Sequence, residues 1–271
     1  VFLIEDEFYF NYIKAYNDGM LSDNDAIDIY NKLMLPELLE ELCKIDGLHW
    51  IRTLYTYSDK ITDELLDTIA NEEKLVKYLD IPLQHINGEI LKKMNRKGDR
   101  KSIKALIEKI RTKIPDITLR TTLITGFPSE TEEQFCEMAE FVKETRFDRL
   151  GCFAYSAEED TPACEFEGQI DEQTKVSRME NIMELQMDIA AEKNQEKIGS
   201  VTEVIIEGWD DYIKCYFGRT ICDAPEIDGK IFSQERDQDI RWVLFSGSRP
   251  HQLWRNGAKK KTAAEIAGVL P

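Results

Sequence analysis

Apolar residues follow two spacings along this chain. In Pro36–Lys44, Thr62–Asn71, Asn87–Asn95, Asp99–Lys113, Thr131–Thr145 and Asp171–Lys197 they recur at three- and four-residue intervals, as on one face of a helix. Ile103, Leu106, Ile107 and Ile110 form such a face. Pro36 suits a helix start, and Thr62, Asn87 and Asp99 suit N-caps. Between these segments lie short apolar or alternating runs, Leu48–Tyr57, Leu79–Leu83, Ile117–Thr125 and Arg149–Tyr155, which read as strands. Strands alternating with helices predict an α/β fold with a parallel sheet and right-handed crossovers. After Gly199 the pattern changes. Val201–Glu207 and Tyr212–Phe217 are β-like, with Gly208–Asp211 and Pro225–Gly229 as turns, the signature of a small β-barrel.

One junction stands out. Tyr78–Leu83 reads as a buried strand that ends at the polar pair Gln84 and His85, and a helix follows with Ile90, Leu91 and Met94 on one face. In parallel sheets ligands bind at the carboxyl ends of strands. Pro82 cannot donate to a ladder, so its presence predicts a bulge. The junction reads equally as a ligand site and as an ordinary βα unit with a satisfied histidine.

Composition narrows the function classes. The 271 residues are 42% hydrophobic, enough for a real core, and no apolar run approaches the ~18 residues that a membrane helix requires. The N-terminus VFLIEDEFYF lacks a basic leader, so no membrane association and a cytoplasmic location are expected. The net charge of −17 repels phosphates and favours a basic partner. The six cysteines, Cys43, Cys136, Cys152, Cys164, Cys215 and Cys222, show no C-x-x-C or C-x-x-x-C-x-x-C spacing, and no zinc pattern appears with the three histidines. They read as reduced, mostly buried thiols, and no metal ligand is expected among them.

Several segments together resemble the methylthiotransferase branch of the radical S-adenosylmethionine enzymes, in particular those that modify a small-subunit ribosomal protein. They are DIYNKLMLPELL (Asp28–Leu39), WIRTLYTY (Trp50–Tyr57), YLDIPLQHINGEILKKMNR (Tyr78–Arg96), LITGFPSETEEQF (Leu123–Phe135), FAYSAEEDTPA (Phe153–Ala163) and YFGRTICDAPEIDGKIF (Tyr216–Phe232). The resemblance implies a partial, open TIM-like barrel over 26–198 and a TRAM-like β domain over 199–232, with 1–25 unassigned. Residues 233–271 carry seven Lys/Arg against four Asp/Glu and no clean period. They read as a divergent tail or, the preferred reading, as frame-shifted sequence. The exposed edge of Leu48–Tyr57 is expected to be covered by residues 1–25.

The implied reaction is methylthio transfer to an aspartate of a basic small-subunit ribosomal protein, with S-adenosylmethionine and two [4Fe-4S] clusters as cofactors. The implied cofactor wall is Gln84, His85, Ile124, Gly126, Phe127, Phe153 and Tyr155. In it, Leu123–Glu130 resembles the adenine-holding G-x-I-x-G-x-x-E element, with Thr122 at its first glycine and Ser129 in place of a further glycine. Ser156 and Glu158 line the implied mouth, and Asp160 replaces another family glycine. Gly126 is expected to admit a ligand to the backbone. Phe153 and Tyr155 read equally as core aromatics. Arg52, Tyr55, Tyr57, Arg96 and Arg120 are substrate-side candidates, with Asp80 or Glu130 as possible internal partners of the strand arginines. No residue is assigned a catalytic role, because the family's C-x-x-x-C-x-x-C is not in this chain. The chain is therefore expected to be an inactive portion of such an enzyme. The rival readings are a tRNA adenosine methylthiotransferase portion and a non-catalytic S-adenosylmethionine- or ribosome-binding module. The net charge of −4 over Gly199–Phe232 counts against tRNA.

Overall fold

The computed structural model describes residues 34–200 and 202–233. The expected roles of residues 1–25 and of the tail fall outside the described residues. Helix α1 (Leu35–Cys43) leads into strand β1 (Ile51–Thr53), a 3-10 turn (Ser58–Lys60) and α2 (Asp63–Asn71). Then come β2 (Leu75–Gln84), α3 (Gly88–Lys93), α4 (Arg100–Lys113), β3 (Thr118–Thr125), α5 (Glu132–Thr145), β4 (Arg149–Ala154), a 3-10 turn (Pro162–Glu165) and α6 (Glu172–Glu196). Strands β1 to β4 form one parallel sheet in chain order, as the alternation predicted. Strands β5 (Val204–Asp210), β6 (Cys215–Thr220) and β7 (Ile231–Ser233) form a separate antiparallel sheet.

The period of two along the parallel strands separates two environments. Leu79, Ile81 and Leu83 of β2, Leu119 and Leu123 of β3, and Leu150 and Cys152 of β4 are buried with helix residues such as Leu66, Ile107, Met138, Phe141 and Ile182. The intervening positions Tyr78, Asp80, Arg120, Thr122, Arg149, Gly151 and Phe153 therefore point to the opposite face. That face is polar and carries the site. Caps act where expected: Thr62 Oγ1 accepts from Leu65 N, Asn87 Oδ1 from Glu89 N and Ile90 N, and Asp99 Oδ1 from Ser102 N. Among the described residues no helix is long and apolar enough to cross a membrane.

Three boundaries differ from the sequence reading. The expected strand Leu48–Tyr57 shrinks to three residues because Tyr55 takes a left-handed backbone, φ 58°. The chain then leaves the sheet, and Asp80 holds it there: its Oδ2 accepts from Tyr55 N (3.1 Å) and its carbonyl from Thr56 N (2.9 Å). Strand β2 starts earlier than Leu79. Its interior Lys77 interrupts the apolar run but donates to the carbonyls of Ala70 and Glu72 at the end of α2. Gly208 lies within β5, at a bulge, rather than in a turn. A Cβ there would sit 2.7 Å from the Phe217 ring, so any other residue would require that ring to shift. The turn follows, with Asp210 Oδ1 accepting from Tyr212 N and Ile213 N.

Pro82 does fall at a register shift between β2 and β3. Thr121 Oγ1 patches the ladder, donating to Ile81 O (2.9 Å) and accepting from Leu83 N (3.4 Å). By strand alternation the position of Pro82's missing N–H faces the side where β1 has ended, so no ladder bond is lost.

Candidate functional site

A cavity of 450 Å³ opens on the polar face toward the carboxyl ends of the strands. Tyr55, Thr56 and Tyr57 line it from the segment after β1, Pro82 and Gln84 from β2, Arg96 from beyond α3, Arg120 and Thr122 from β3, and Phe153 from β4. Ile227, from the loop between β6 and β7, completes the lining. The volume falls within the ~300–1,000 Å³ usual for small-molecule sites.

The lining is chemically distinctive. Phe153 is 59% exposed, so its ring serves the cavity and not the core. Tyr55 and Tyr57 are exposed as well, and the Arg96 guanidinium lies 5.2 Å from the Tyr57 ring centroid while donating to Pro82 O (3.0 Å). Gln84 has φ 68° and a buried Oε1 with no hydrogen-bond partner. A buried acceptor left unpaired costs on the order of 1–3 kcal/mol, so a donor on a bound molecule would recover free energy there. Arg120 Nη1 donates to Asp80 Oδ1 (2.9 Å) and Thr122 Oγ1 (3.3 Å). Burial alone would lower the Arg120 pKa, but Asp80 outweighs it and the group stays firmly charged.

Other implied wall residues lie behind this surface. His85 is 0% exposed. Its Nδ1 accepts from Asn87 N (2.9 Å), and its Nε2 lies 3.3 Å from Glu130 Oε2 without a hydrogen bond between them. Glu130 also accepts from Gly126 N (3.1 Å) and from Arg178 Nη1 of α6 (2.7 Å). Glu130 thus ties the end of β2, the loop after β3 and α6 together; it pairs with Arg178 and not with Arg52 or Arg120. Gly126 admits a protein neighbour at close range: a Cβ at its position would lie 2.3 Å from Lys175 Cγ. Phe127 and Tyr155 pack edge to face at 5.2 Å in a small apolar cluster with Ile90, against which Ile124 also packs. Of the three positions where family glycines are replaced, Ser129 (φ 67°) and Asp160 (φ 65°) have a left-handed backbone and Thr122 lies in β3.

Arg52 lies away from the cavity lining. Its guanidinium stacks 4.2 Å above the Tyr78 ring and donates to Thr220 O (3.4 Å), and burial lowers its pKa. The Tyr78 hydroxyl donates to Asp228 Oδ2 at 2.6 Å. Burial first, then that hydrogen bond and the nearby Asp228 charge, push the Tyr78 phenol well above its ordinary value. The neutral phenol is thus favoured by folding. Its stabilisation is complete below about pH 10 and is lost as pH rises from there toward the raised folded value. Urea midpoints measured from about pH 8 to 11 should fall more steeply for the wild type than for Tyr78→Phe; parallel curves would refute this.

Sequence reading missed Thr56, Pro82, Thr122 and Ile227 as lining residues, and Arg178 and Lys175 as supports. The positive-φ positions Tyr55 and Gln84 leave no signal in residue type. Ile227 lies in DAPEIDGK, a segment that resemblance did single out.

Comparison with known proteins agrees with this architecture. Residues 30–142 match the Radical SAM superfamily, and residues 198–254 match the TRAM domain, a match that runs on past Phe232. The chain is thus similar to radical SAM proteins over residues 30–142 and to TRAM domains over 198–254. It is 50% identical over 207 residues to ribosomal protein uS12 methylthiotransferase RimO of Alkaliphilus oremlandii (strain OhILAs), covering 76% of this chain and 47% of that protein. It is 49% identical over 213 residues to the protein of the same name from Lachnoclostridium phytofermentans (strain ATCC 700394 / DSM 18823 / ISDg), covering 79% and 48%. The sequence is RimO-like, and it spans about half the length of the curated relatives it matches. Among solved structures, the radical SAM enzyme coproporphyrinogen III oxidase from Escherichia coli matches with a TM-score of 0.43 and 23% identity, over 59% of this chain and 36% of that one.

The superfamily implies S-adenosylmethionine and [4Fe-4S] clusters. Among the described residues no group of three His, Cys, Asp or Glu side chains could hold a metal ion, and the cysteines are all free. These residues do not fit a cluster. They do fit the nucleoside cofactor, through Arg96 and Arg120, the unpaired Gln84 oxygen and three exposed rings.

Proposed function

We propose that the cavity binds S-adenosylmethionine and that the chain forms the cofactor-holding half of a methylthiotransferase acting on an aspartate of ribosomal protein uS12. The observation that carries this reading is the joint placement of Arg96, Arg120, Gln84 and three exposed aromatic rings at the carboxyl ends of parallel strands. A carboxylate suits the guanidiniums, an ammonium or ribose hydroxyl suits the Gln84 oxygen, and adenine or a sulfonium suits the rings. Behind the wall, the Gly126–Glu130 turn, Phe127 and Tyr155 hold the wall in place, with His85 buried beside Glu130. Tyr55 and Tyr57 occupy the rim, where substrate would approach.

Binding alone is proposed for this chain, since the three-cysteine spacing of a cluster loop is not in its 271 residues. Calorimetric titration with S-adenosylmethionine should show binding, and Arg96→Ala should weaken it about tenfold by removing a charge-assisted contact. No binding by the wild type would sink the reading. The acidic surface supports a basic protein substrate over tRNA. Purified uS12 should bind more tightly than a tRNA anticodon stem, and the reverse order would favour the tRNA reading.

A further inference from the structure

We infer that the loop between β6 and β7 is a structural part of the cavity: Ile227 supplies its floor, and Asp228 positions the site's arginine. The inference goes beyond the cofactor reading in assigning part of the site to the second sheet, and it uses that reading only for its choice of probe.

The loop reaches the polar face of the parallel sheet at several points. Ala224 is buried with Val76 and Tyr78, and Trp50, Leu54 and Ile221 pack against them. Asp228 Oδ2 accepts from Tyr78 Oη (2.6 Å) and from Ala224 N (2.8 Å), which folds the loop back on itself while fixing it to β2. Asp228 Oδ1 lies 3.7 Å from Arg120 Nε. Asp223 accepts from Arg149 Nη2 (2.7 Å) and, through its other oxygen, from Thr220 N and Oγ1. Arg120 and Arg149 of the parallel sheet thus meet Asp80, Asp228 and Asp223 in a layer of buried charges, with Arg52 stacked on Tyr78 beside them.

Such a layer is a poor source of stability but a good source of orientation, because a shifted loop would strand buried charges. Its effect reaches the cavity by a short path. Asp228 and Asp80 flank Arg120, and Asp80 also accepts from Tyr55 N, so the layer supports one cavity cation and one rim ring. Ile227, next to Asp228, can line the cavity only while Asp228 is seated. Ligand binding and docking of the second sheet are therefore coupled.

The test uses the whole chain, with calorimetry against S-adenosylmethionine and hydrogen exchange measured by mass spectrometry. Exchange should be slow over 221–228 in the wild type and slower still with the compound bound. Asp228→Asn keeps the shape but removes the charge. It should weaken binding about tenfold, a coupling of usual size, and raise exchange over 221–228 and 53–57 together. Ile227→Trp should fill the cavity and abolish binding while leaving exchange over 221–226 unchanged. Wild-type binding by Ile227→Trp, or solvent-like exchange over 221–228 in the wild type, would overturn the inference. If the wild type binds nothing, the cofactor reading fails alone: joint deprotection of the two segments by Asp228→Asn would still support the docking, and exchange unaltered at 53–57 would overturn it.

Discussion

Glu130→Ala is expected to destabilise the parallel-sheet region by about 3–5 kcal/mol, the usual cost of stripping one partner from a buried ion pair. Both the Glu130 and Arg178 side chains are nearly inaccessible, at 0% and 9%. Glu130 Oε1 receives Arg178 Nη1 at 2.7 Å, and Oε2 receives Gly126 N and faces His85 Nε2. Alanine would leave a guanidinium and a backbone amide without their carboxylate. Glu132 and the Glu130 carbonyl would retain part of Arg178's bonding, which sets the loss nearer the lower bound. Glu130→Gln keeps an oxygen for Arg178 and should lose less. Urea denaturation measures both; a Glu130→Ala loss below about 1 kcal/mol, the scale of an exposed pair, would show that the network is not holding the loop.

Gly126→Ala is the second large effect, expected at about 3 kcal/mol, and its cause is different. The residue has φ +73°, where a Cβ costs roughly 1–2 kcal/mol. That Cβ would also meet Lys175 Cγ at 2.3 Å, Cβ at 2.9 Å and Cα at 3.1 Å, forcing the first turn of α6 outward at about 1–3 kcal/mol. Lys175 is anchored there, its carbonyl accepting from Thr125 Oγ1 and its ammonium donating to Tyr155 O. Lys175→Ala in the same chain should restore only part of the loss, because it removes the Cγ contact and leaves the others. Full rescue, or no loss at all in thermal unfolding, would contradict the geometry. Displacement of α6 would also loosen Tyr155, so weaker S-adenosylmethionine binding should accompany the stability loss.

These two residues show how far the site was legible. GFPSE marks a turn after a strand, and resemblance marked it as a cofactor element. Neither signal distinguishes a glycine that admits a ligand from one that admits a helix. The answer depends on where α6, which starts at Glu172, returns across the sheet. Gln84, Arg96, Arg120 and Phe153 were all named from sequence, and the structure brings them to one cavity. His85 was named beside Gln84, but neighbours on a strand point to opposite faces, and the left-handed turn at Gln84 sends His85 inward to Glu130. Ile227 belongs to a segment that resemblance singled out without marking that residue as part of the site.

The amino-acid order alone decided the elements and their class. The two apolar periods, the caps Thr62, Asn87 and Asp99, and the polar break at Gln84–His85 act between residues a few positions apart, so they are visible in any short window. Tertiary structure alone decided which faces met. Tyr55 turning out of the sheet onto Asp80, Glu130 meeting Arg178 and Tyr78 meeting Asp228 join residues 25, 48 and 150 positions apart. Such pairings exist only after the chain has closed and water has left, because burial then makes each unpaired charge or amide costly enough to select its partner.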